Sequence, residues 1–99
     1  LFKFIIELHF FSSIIKLMIR RYIDVICFND KAGNIKPLYF YWDENKRIPI
    51  DRVQNVCSRS SLKDGGSGLR FTCVLPNNRI RHLFYDRGKW FVEMNEGMI

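Results

Sequence analysis

From Tyr22 onward, apolar and polar residues alternate in short runs, and turn residues separate these runs at close intervals. A period of two residues places successive side chains on opposite faces of an extended strand. Runs joined by only a few residues favour antiparallel neighbours, because parallel strands need long crossover connections. The pattern therefore predicts an all-β fold.

Six strands are predicted in the folded part of the chain. They cover residues 22–28, 35–42, 47–57, 69–75, 80–85 and 89–93. Strands this short and this closely spaced predict a small antiparallel six-stranded barrel or a strongly curved sheet, SH3-like or OB-like in size. The predicted organisation is an amphipathic apolar leader over residues 1–18, a single small β domain over 19–95 and a tail over 96–99.

Three places in these strands and turns carry specific backbone predictions. Pro37 lies inside the second strand, so its position must be an edge, a bulge or a site without a ladder hydrogen bond. Val53 and Val56 break the alternation with a three-residue spacing, which predicts a bulge or a single helical turn. Asn77-Asn78 predicts a two-residue hairpin turn, because asparagine tolerates positive φ.

The leader is apolar, because thirteen of the first nineteen residues of the chain are Leu, Phe, Ile or Met. Lys3, Glu7 and Lys16 interrupt the run, and one ionised side chain at mid-bilayer costs about 2.5 to 3.5 kcal/mol. The polar residues from His9 to Arg20 fall on one stripe at helical spacing. The spacing therefore predicts an N-terminal amphipathic helix rather than a transmembrane span.

Three interpretations of the leader stay open. It is an over-extended start, a helix that lies on a membrane surface, or a helix that docks on a partner. The first is favoured, because Met18 stands just before the compositional break and residues 1–17 are dominated by Phe, Ile, Leu and Lys. Such a composition is typical of translated A/T-rich untranslated sequence. Membrane contact is expected only if the leader is genuine.

The net charge of +6 is concentrated in one region of the chain. Residues 22–58 hold five basic and five acidic side chains, whereas residues 59–89 hold seven basic side chains and two acidic ones. A basic face predicts binding to nucleic acid or another polyanion, and a solvated face that maintains solubility is the simpler interpretation. The candidate binding residues are Arg59, Lys63, Arg70, Arg79, Arg81, Arg87 and Lys89. Pairing of residues 69–75 with 79–85 would project Arg70 and Arg81 from neighbouring strands, as a basic stripe.

Aromatic residues of the second strand add to this hypothesis. Leu38, Phe40 and Trp42 are predicted to share the inward face, so Tyr39 and Tyr41 would point outward. Two outward tyrosines at this spacing predict a stacking platform for bases or a protein-binding patch. Ordinary cross-strand surface packing is the simpler interpretation.

Catalysis and metal binding find little support in the sequence. Cys27, Cys57 and Cys73 form no C-x-x-C pair and are odd in number, which indicates reduced thiols in a cytoplasmic protein. His82 stands alone on a strand, and no nucleophile, base and orienting acid share a recognisable spacing. We therefore predict no enzymatic activity, no catalytic residue, no metal site and no cofactor.

The stretches DVICFNDKAGNIKPLYFYWDEN, IDRV, SLKDGGSGLRFTC and HLFYDRGKWFVE carry a resemblance over about residues 19–93. The chain resembles short single-domain proteins of low-G+C Gram-positive bacteria. The resemblance implies a fold and a cytosolic setting, and it carries no activity. In addition, G-x-x-x-P-x-x-F-x-W from Gly33 to Trp42 is similar to small domains found beside error-prone DNA polymerases. The expected function is non-catalytic binding of nucleic acid or another polyanion, with a protein-interaction module or accessory subunit as the alternative.

Overall fold

The computed structural model describes the backbone of residues 4–11, 14–60 and 67–95, and the side chains of residues 19–58 and 68–94. Eight strands account for most of this backbone. They are β1 (Phe4–Phe11), β2 (Ile14–Asn29), β3 (Ile35–Asp43), β4 (Lys46–Pro49), β5 (Arg52–Ser60), β6 (Ser67–Val74), β7 (Ile80–Asp86) and β8 (Lys89–Asn95). A single 3-10 turn covers Pro76–Asn78.

Strands β2 to β8 form one antiparallel sheet that curves into a half-barrel, in the order β4-β3-β2-β8-β7-β6-β5. The predicted all-β class and curved antiparallel sheet are confirmed. The sequence pattern predicts one strand over residues 47–57, which the structure divides at Ile50 and Asp51 into β4 and β5. Strands β4 and β5 lie at opposite edges of the sheet.

The leader is described through part of its backbone only. The backbone of β1 pairs with β2 from Phe4↔Arg21 to Phe11↔Ile14. The side chains of residues 4–18, together with residues 1–3, 12–13 and 96–99, lie outside the described part of the structure. The N-terminal amphipathic helix and the tail therefore stay predictions. Within the described residues, no helix has the length and apolarity that a bilayer crossing requires.

Strand β2 changes partners along its length. Its first part pairs with β8 as far as Ile23↔Trp90, and its second part pairs with β3 from Asp24↔Tyr41 onward. The sheet opens where the partners change, and a cleft of about 420 Å³ lies there between β2 and the β7–β8 turn.

The predicted backbone irregularities are present. Between β2 and β3 the register shifts, because Ile26 faces Tyr39 while Cys27 faces Pro37, which leaves Leu38 as the extra residue of a bulge. The second predicted irregularity is also a bulge, at Val53–Asn55 in the β5–β6 pair.

The turns on either side of β7 use residues with positive φ. Asn77 and Asn78 have φ of 68° and 59°, as asparagine tolerates, but the predicted two-residue hairpin turn is too short. Pro76–Asn78 form a 3-10 turn, and the amide of Leu75 donates a hydrogen bond to the carbonyl of Arg79 across it. Arg87 and Gly88, between β7 and β8, have φ of 54° and 79°. The two-residue turn at Arg87-Gly88 has the mirror-image form that matches the right-handed twist of paired strands, so it sets the register of β7 with β8.

The core fills the inner face of the half-barrel. Its buried side chains come from most strands and are Ile23, Phe40, Phe71, Cys73, Leu75, Leu83, Trp90, Val92 and Met94. Phe71 and Tyr85 both pack on Trp90, with ring centroids 5.0 and 4.9 Å away. Leu38, predicted to face inward with Phe40 and Trp42, is instead 38% exposed, because the bulge gives the buried position to Pro37.

Candidate functional site

The predicted binding residues are spread over several elements of the sheet. Arg70 lies in β6, Arg81 in β7, Lys89 at the start of β8, and Tyr39 and Tyr41 in β3; Arg79 and Arg87 flank β7. The side chain of Arg59 and the whole of Lys63 lie outside the described residues, so their roles stay predictions.

Arg70 and Arg81 do not form one stripe. Directly paired residues of antiparallel strands project to the same face. Arg81 is opposite the core residue Cys73, so it projects to the inner face. Arg70 is opposite Phe84 and alternates with core residues, so it projects to the outer face. The predicted stripe is therefore wrong by one residue of register on β7, because alternation alone does not fix which residues of two strands face each other.

Arg79 and Arg87 mark the two ends of β7. Arg79 is exposed next to the Asn77-Asn78 turn, and its carbonyl accepts a hydrogen bond from the amide of Leu75 at 2.7 Å. Arg87 lies in the opposite turn with its Nε 4.0 Å from a carboxylate oxygen of Asp86. Lys89 belongs to that second end, with its Nζ 5.8 Å from the centroid of Tyr22.

Near the Arg79 end of β7, the indole of Trp42 contacts two guanidinium groups. The Cζ of Arg21 lies 3.7 Å from the Trp42 ring centroid, and its Nη2 donates a hydrogen bond to the Trp42 carbonyl at 2.6 Å. The Cζ of Arg81 lies 4.9 Å from the same indole. Arginines within about 6 Å of an indole centroid are attracted by the negative face of the ring.

Three positive charges converge at this place, and we name Arg21, Arg79 and Arg81 the Trp42 arginine cluster. Burial lowers the pKa of Arg81 below its ordinary value, and the nearby charges of Arg79 and Arg21 lower it further. Burial also lowers the pKa of Arg21, against the opposing effect of the Asp43 carboxylate. Within the described residues, Arg79 and Arg81 have no ion-pair partner.

The sequence pattern does not predict Arg21 and Trp42 as site residues. Arg21 precedes the basic region of residues 59–89, and the alternation of β3 predicts Trp42 to be a core residue. The available signal was an arginine at an inward position of β2, since Arg21 alternates with Ile23. A charge on a core-facing row needs a partner, and here an aromatic face receives it.

The tyrosine pair lies on the outer face, as predicted. Tyr39 and Tyr41 are half-buried and meet edge to face with ring centroids 6.0 Å apart. The Cζ of Arg47, from β4, lies 4.7 Å from the Tyr39 centroid. This pair is on the opposite face of β3 from Trp42, so it is separate from the Trp42 arginine cluster.

The residues with catalytic or ligating potential lie apart from this cluster. His82 shares a hydrogen bond of 3.1 Å with the Thr72 hydroxyl on the outer face. Burial raises the pKa of the Cys73 thiol to about 12, so this thiol stays protonated at neutral pH. Within the described part of the chain, no three His, Cys, Asp or Glu side chains are grouped to hold a metal ion.

Comparison with known proteins finds no match: no protein-family model, no curated protein and no solved structure is similar to this chain.

Proposed function

We propose that this chain is a non-catalytic, cytoplasmic bacterial β domain that binds nucleic acid or another polyanion through the Trp42 arginine cluster. The observation that supports the proposal is the convergence of Arg21 and Arg81 on one indole, with the charge of Arg79 close to Arg81. Like charges this close repel each other, and burial deprives Arg81 of part of its hydration. An anion bound at the cluster would offset the repulsion between the arginines and the lost hydration of Arg81, so the arrangement favours a negatively charged ligand.

The regional charge supports the same proposal. Residues 59–89 hold seven basic residues and two acidic ones, whereas residues 22–58 are balanced. A surface with excess positive charge raises the local concentration of a polyanion and accelerates its association. Phosphate contacts of this kind give affinity that is largely independent of base sequence.

Salt titration of oligonucleotide binding tests the proposal. The full chain is titrated with fluorescent single-stranded and duplex oligonucleotides between low and physiological salt. We expect the logarithm of affinity to fall linearly with the logarithm of salt concentration, with a slope of about 0.9 per phosphate contacted on duplex DNA. Absence of binding at low salt to either oligonucleotide would refute the proposal.

Two charge reversals of equal size separate the cluster from general charge. Arg79→Glu changes the net charge by the same amount as Lys36→Glu, and both side chains are exposed. Arg79 belongs to the Trp42 arginine cluster, whereas Lys36 lies in the part of β3 that pairs with Phe28. We expect Arg79→Glu to weaken binding and reduce the salt slope by about one, and Lys36→Glu to change affinity much less. Equal losses of oligonucleotide affinity in the two variants would show that binding depends on the net charge and not on the cluster.

An exposed apolar patch favours a second candidate function, a protein-interaction module. Ile26 is 42% exposed and Phe28 is 56% exposed, and Leu38 lies beside them at the bulge. Exposed apolar clusters of this kind are typical of protein contacts. A partner bound there would dissociate little with added salt, and Phe28→Ser would weaken its binding while leaving oligonucleotide affinity unchanged.

A further inference from the structure

The geometry of the Trp42 arginine cluster restricts how an anion can approach it. Arg21 lies 3.7 Å from the indole centroid and Arg81 lies 4.9 Å from it, so guanidinium groups already occupy the aromatic surface. Trp42 therefore contacts two arginines through its ring.

The N–H groups of a guanidinium lie in the plane of the group and point outward from its edge. Two N–H groups along one edge form a fork that matches two oxygens of a phosphate group. Arg21 uses one of its N–H groups on the Trp42 carbonyl. Arg81 has no hydrogen-bond partner within the described residues, so its fork is available.

Arg79 adds a second cation beside this fork. It is exposed, and it lies close enough to Arg81 to lower the pKa of that residue. Arg79 and Arg81 are separated by one residue, Ile80, at the start of β7. A single anion between them would be contacted from two sides.

We propose that Arg81 binds one phosphate group edge-on, that Arg79 neutralises the remaining charge, and that Trp42 and Arg21 position Arg81. The inference rests on the proposed function and specifies the ligand group: the phosphate of a nucleic-acid backbone, recognised independently of the base.

Two phosphate sources test this site separately. Inorganic phosphate is titrated at constant ionic strength against sodium chloride, and the two indole N–H signals of Trp42 and Trp90 are followed by NMR. Homopolymeric single strands of different bases, each carrying the same number of phosphates, are titrated in parallel. We expect phosphate to shift the Trp42 signal and the homopolymers to bind with similar affinity.

Variants of Arg81 distinguish a fork from a simple charge. Arg81→Lys keeps the charge but loses the paired N–H donors, so phosphate affinity should fall by roughly tenfold, as for one lost hydrogen bond to a charged group. Arg79→Gln should also weaken phosphate binding. Lys36→Gln is the matched control, because Lys36 is exposed, carries an equal charge and lies outside the Trp42 arginine cluster and the basic region; its phosphate affinity should stay within about twofold of the wild type.

Trp42 variants test the positioning role. Trp42→Phe keeps a flat aromatic face and should retain most phosphate affinity, whereas Trp42→Leu removes that face and should lower it. Equal phosphate affinity in these two variants, with circular dichroism showing both folded, would refute positioning by the ring.

The outcomes for site and function are distinguishable. Oligonucleotide binding that is equally strong in the wild type and in Arg81→Lys and Arg79→Gln would refute the phosphate site and leave the proposed function standing. Binding of inorganic phosphate without binding of any oligonucleotide would support the site and refute the proposed function. If circular dichroism shows that Arg81→Lys is unfolded, Arg79→Gln provides the test, because Arg79 is exposed and its substitution should not disturb the fold. Phosphate affinity equal to the wild type in Arg79→Gln would then refute the paired site.

Discussion

Cys73 and Arg81 stand directly opposite each other in the β6–β7 pair, so a fully buried thiol and a guanidinium share the inner face of the sheet. The charge is tolerated there because Arg81 lies at the end of the core and rests on Trp42. An arginine in this position contributes to packing as well as to charge. Substitution of Arg81 should therefore affect stability, unlike substitution of an exposed arginine.

Arg81→Ala should lower the free energy of unfolding by about 1 to 2 kcal/mol, because it removes a half-buried side chain and its contact with the Trp42 indole. Arg79→Glu, at an exposed position, should stay within about 0.5 kcal/mol of the wild type. Urea unfolding followed by circular dichroism measures both, and losses of equal size would contradict the half-buried placement of Arg81.

The outer tyrosines should discriminate between strand types. Replacement of both Tyr39 and Tyr41 by alanine should weaken single-strand binding more than duplex binding, since unpaired bases can stack on exposed rings at about 1 to 3 kcal/mol each. Fluorescence titration with oligonucleotides of equal phosphate number measures the ratio. A ratio unchanged from the wild type would show that these rings serve only cross-strand packing.

The Asn77-Asn78 turn should respond to backbone chemistry alone. Asn78 has φ of 59°, so Asn78→Ala should cost about 1 kcal/mol, because a Cβ without a compensating side-chain hydrogen bond is strained in the left-handed region. Asn78→Gly at the same position should be neutral or slightly stabilising. Thermal unfolding of the two variants gives the comparison, and equal stabilities would contradict the left-handed turn.

Asp30 should make the stability depend on acid pH. Hydrogen bonds from the amide and side chain of Asn34, and from the amide of Ala32, lower the pKa of the Asp30 carboxyl below its ordinary value. The ionised form is therefore favoured by folding, and its contribution is present above the unfolded-state pKa of about 3.9 and is lost as pH falls through the lower folded pKa. Asp30→Ala should be less stable than wild type at pH 7, and the difference should shrink as the pH falls through the folded-state pKa of Asp30. A difference that is constant with pH would contradict this role.

The three thiols should differ in reactivity. Cys73 is fully buried with a pKa raised to about 12, whereas Cys27 and Cys57 are half-buried. Because the thiolate is the reactive species, Cys73 should resist alkylation in the native protein and react only after unfolding. Mass spectrometry of peptides after brief labelling with iodoacetamide at pH 8 identifies the sites. Labelling of native Cys73 at the rate of Cys57 would contradict its burial.

Local patterns were enough to predict much of the fold. Alternation predicted most of the strands, and the asparagine pair predicted a turn with positive φ. Pro37 predicted an edge, a bulge or a position without a ladder hydrogen bond, and the structure has a bulge beside it. Each of these signals depends on a residue and its immediate neighbours. The strand predicted over residues 47–57 is divided in the structure, and the local signal for the division was Pro49, the last residue of β4. That the two parts join different edges of the sheet is not visible in any local residue.

The site was harder to predict, for a related reason. Its charge was visible in the sequence, but its location depends on β2, β3 and β7 meeting around Trp42. The register of β6 with β7 decides that Arg81 faces inward while Arg70 faces outward. Such long-range pairing is set by the whole sheet, so the composition of one strand does not determine it.

The amides of Ile50 and Asp51 hydrogen-bond to the carbonyls of Leu38 and Val74, each within its own side of the junction. Strands β1 to β4 precede this junction and β5 to β8 follow it, and within the described residues the two sets are joined by the β2–β8 ladder. Cleavage of the single peptide bond between Ile50 and Asp51 would keep the Ile50 hydrogen bond within the first fragment, and it would turn the Asp51 amide into an α-ammonium group that can still donate to the Val74 carbonyl. The chain thus consists of two consecutive meanders that complete one core together, which makes this junction a natural place to divide the protein into complementing fragments.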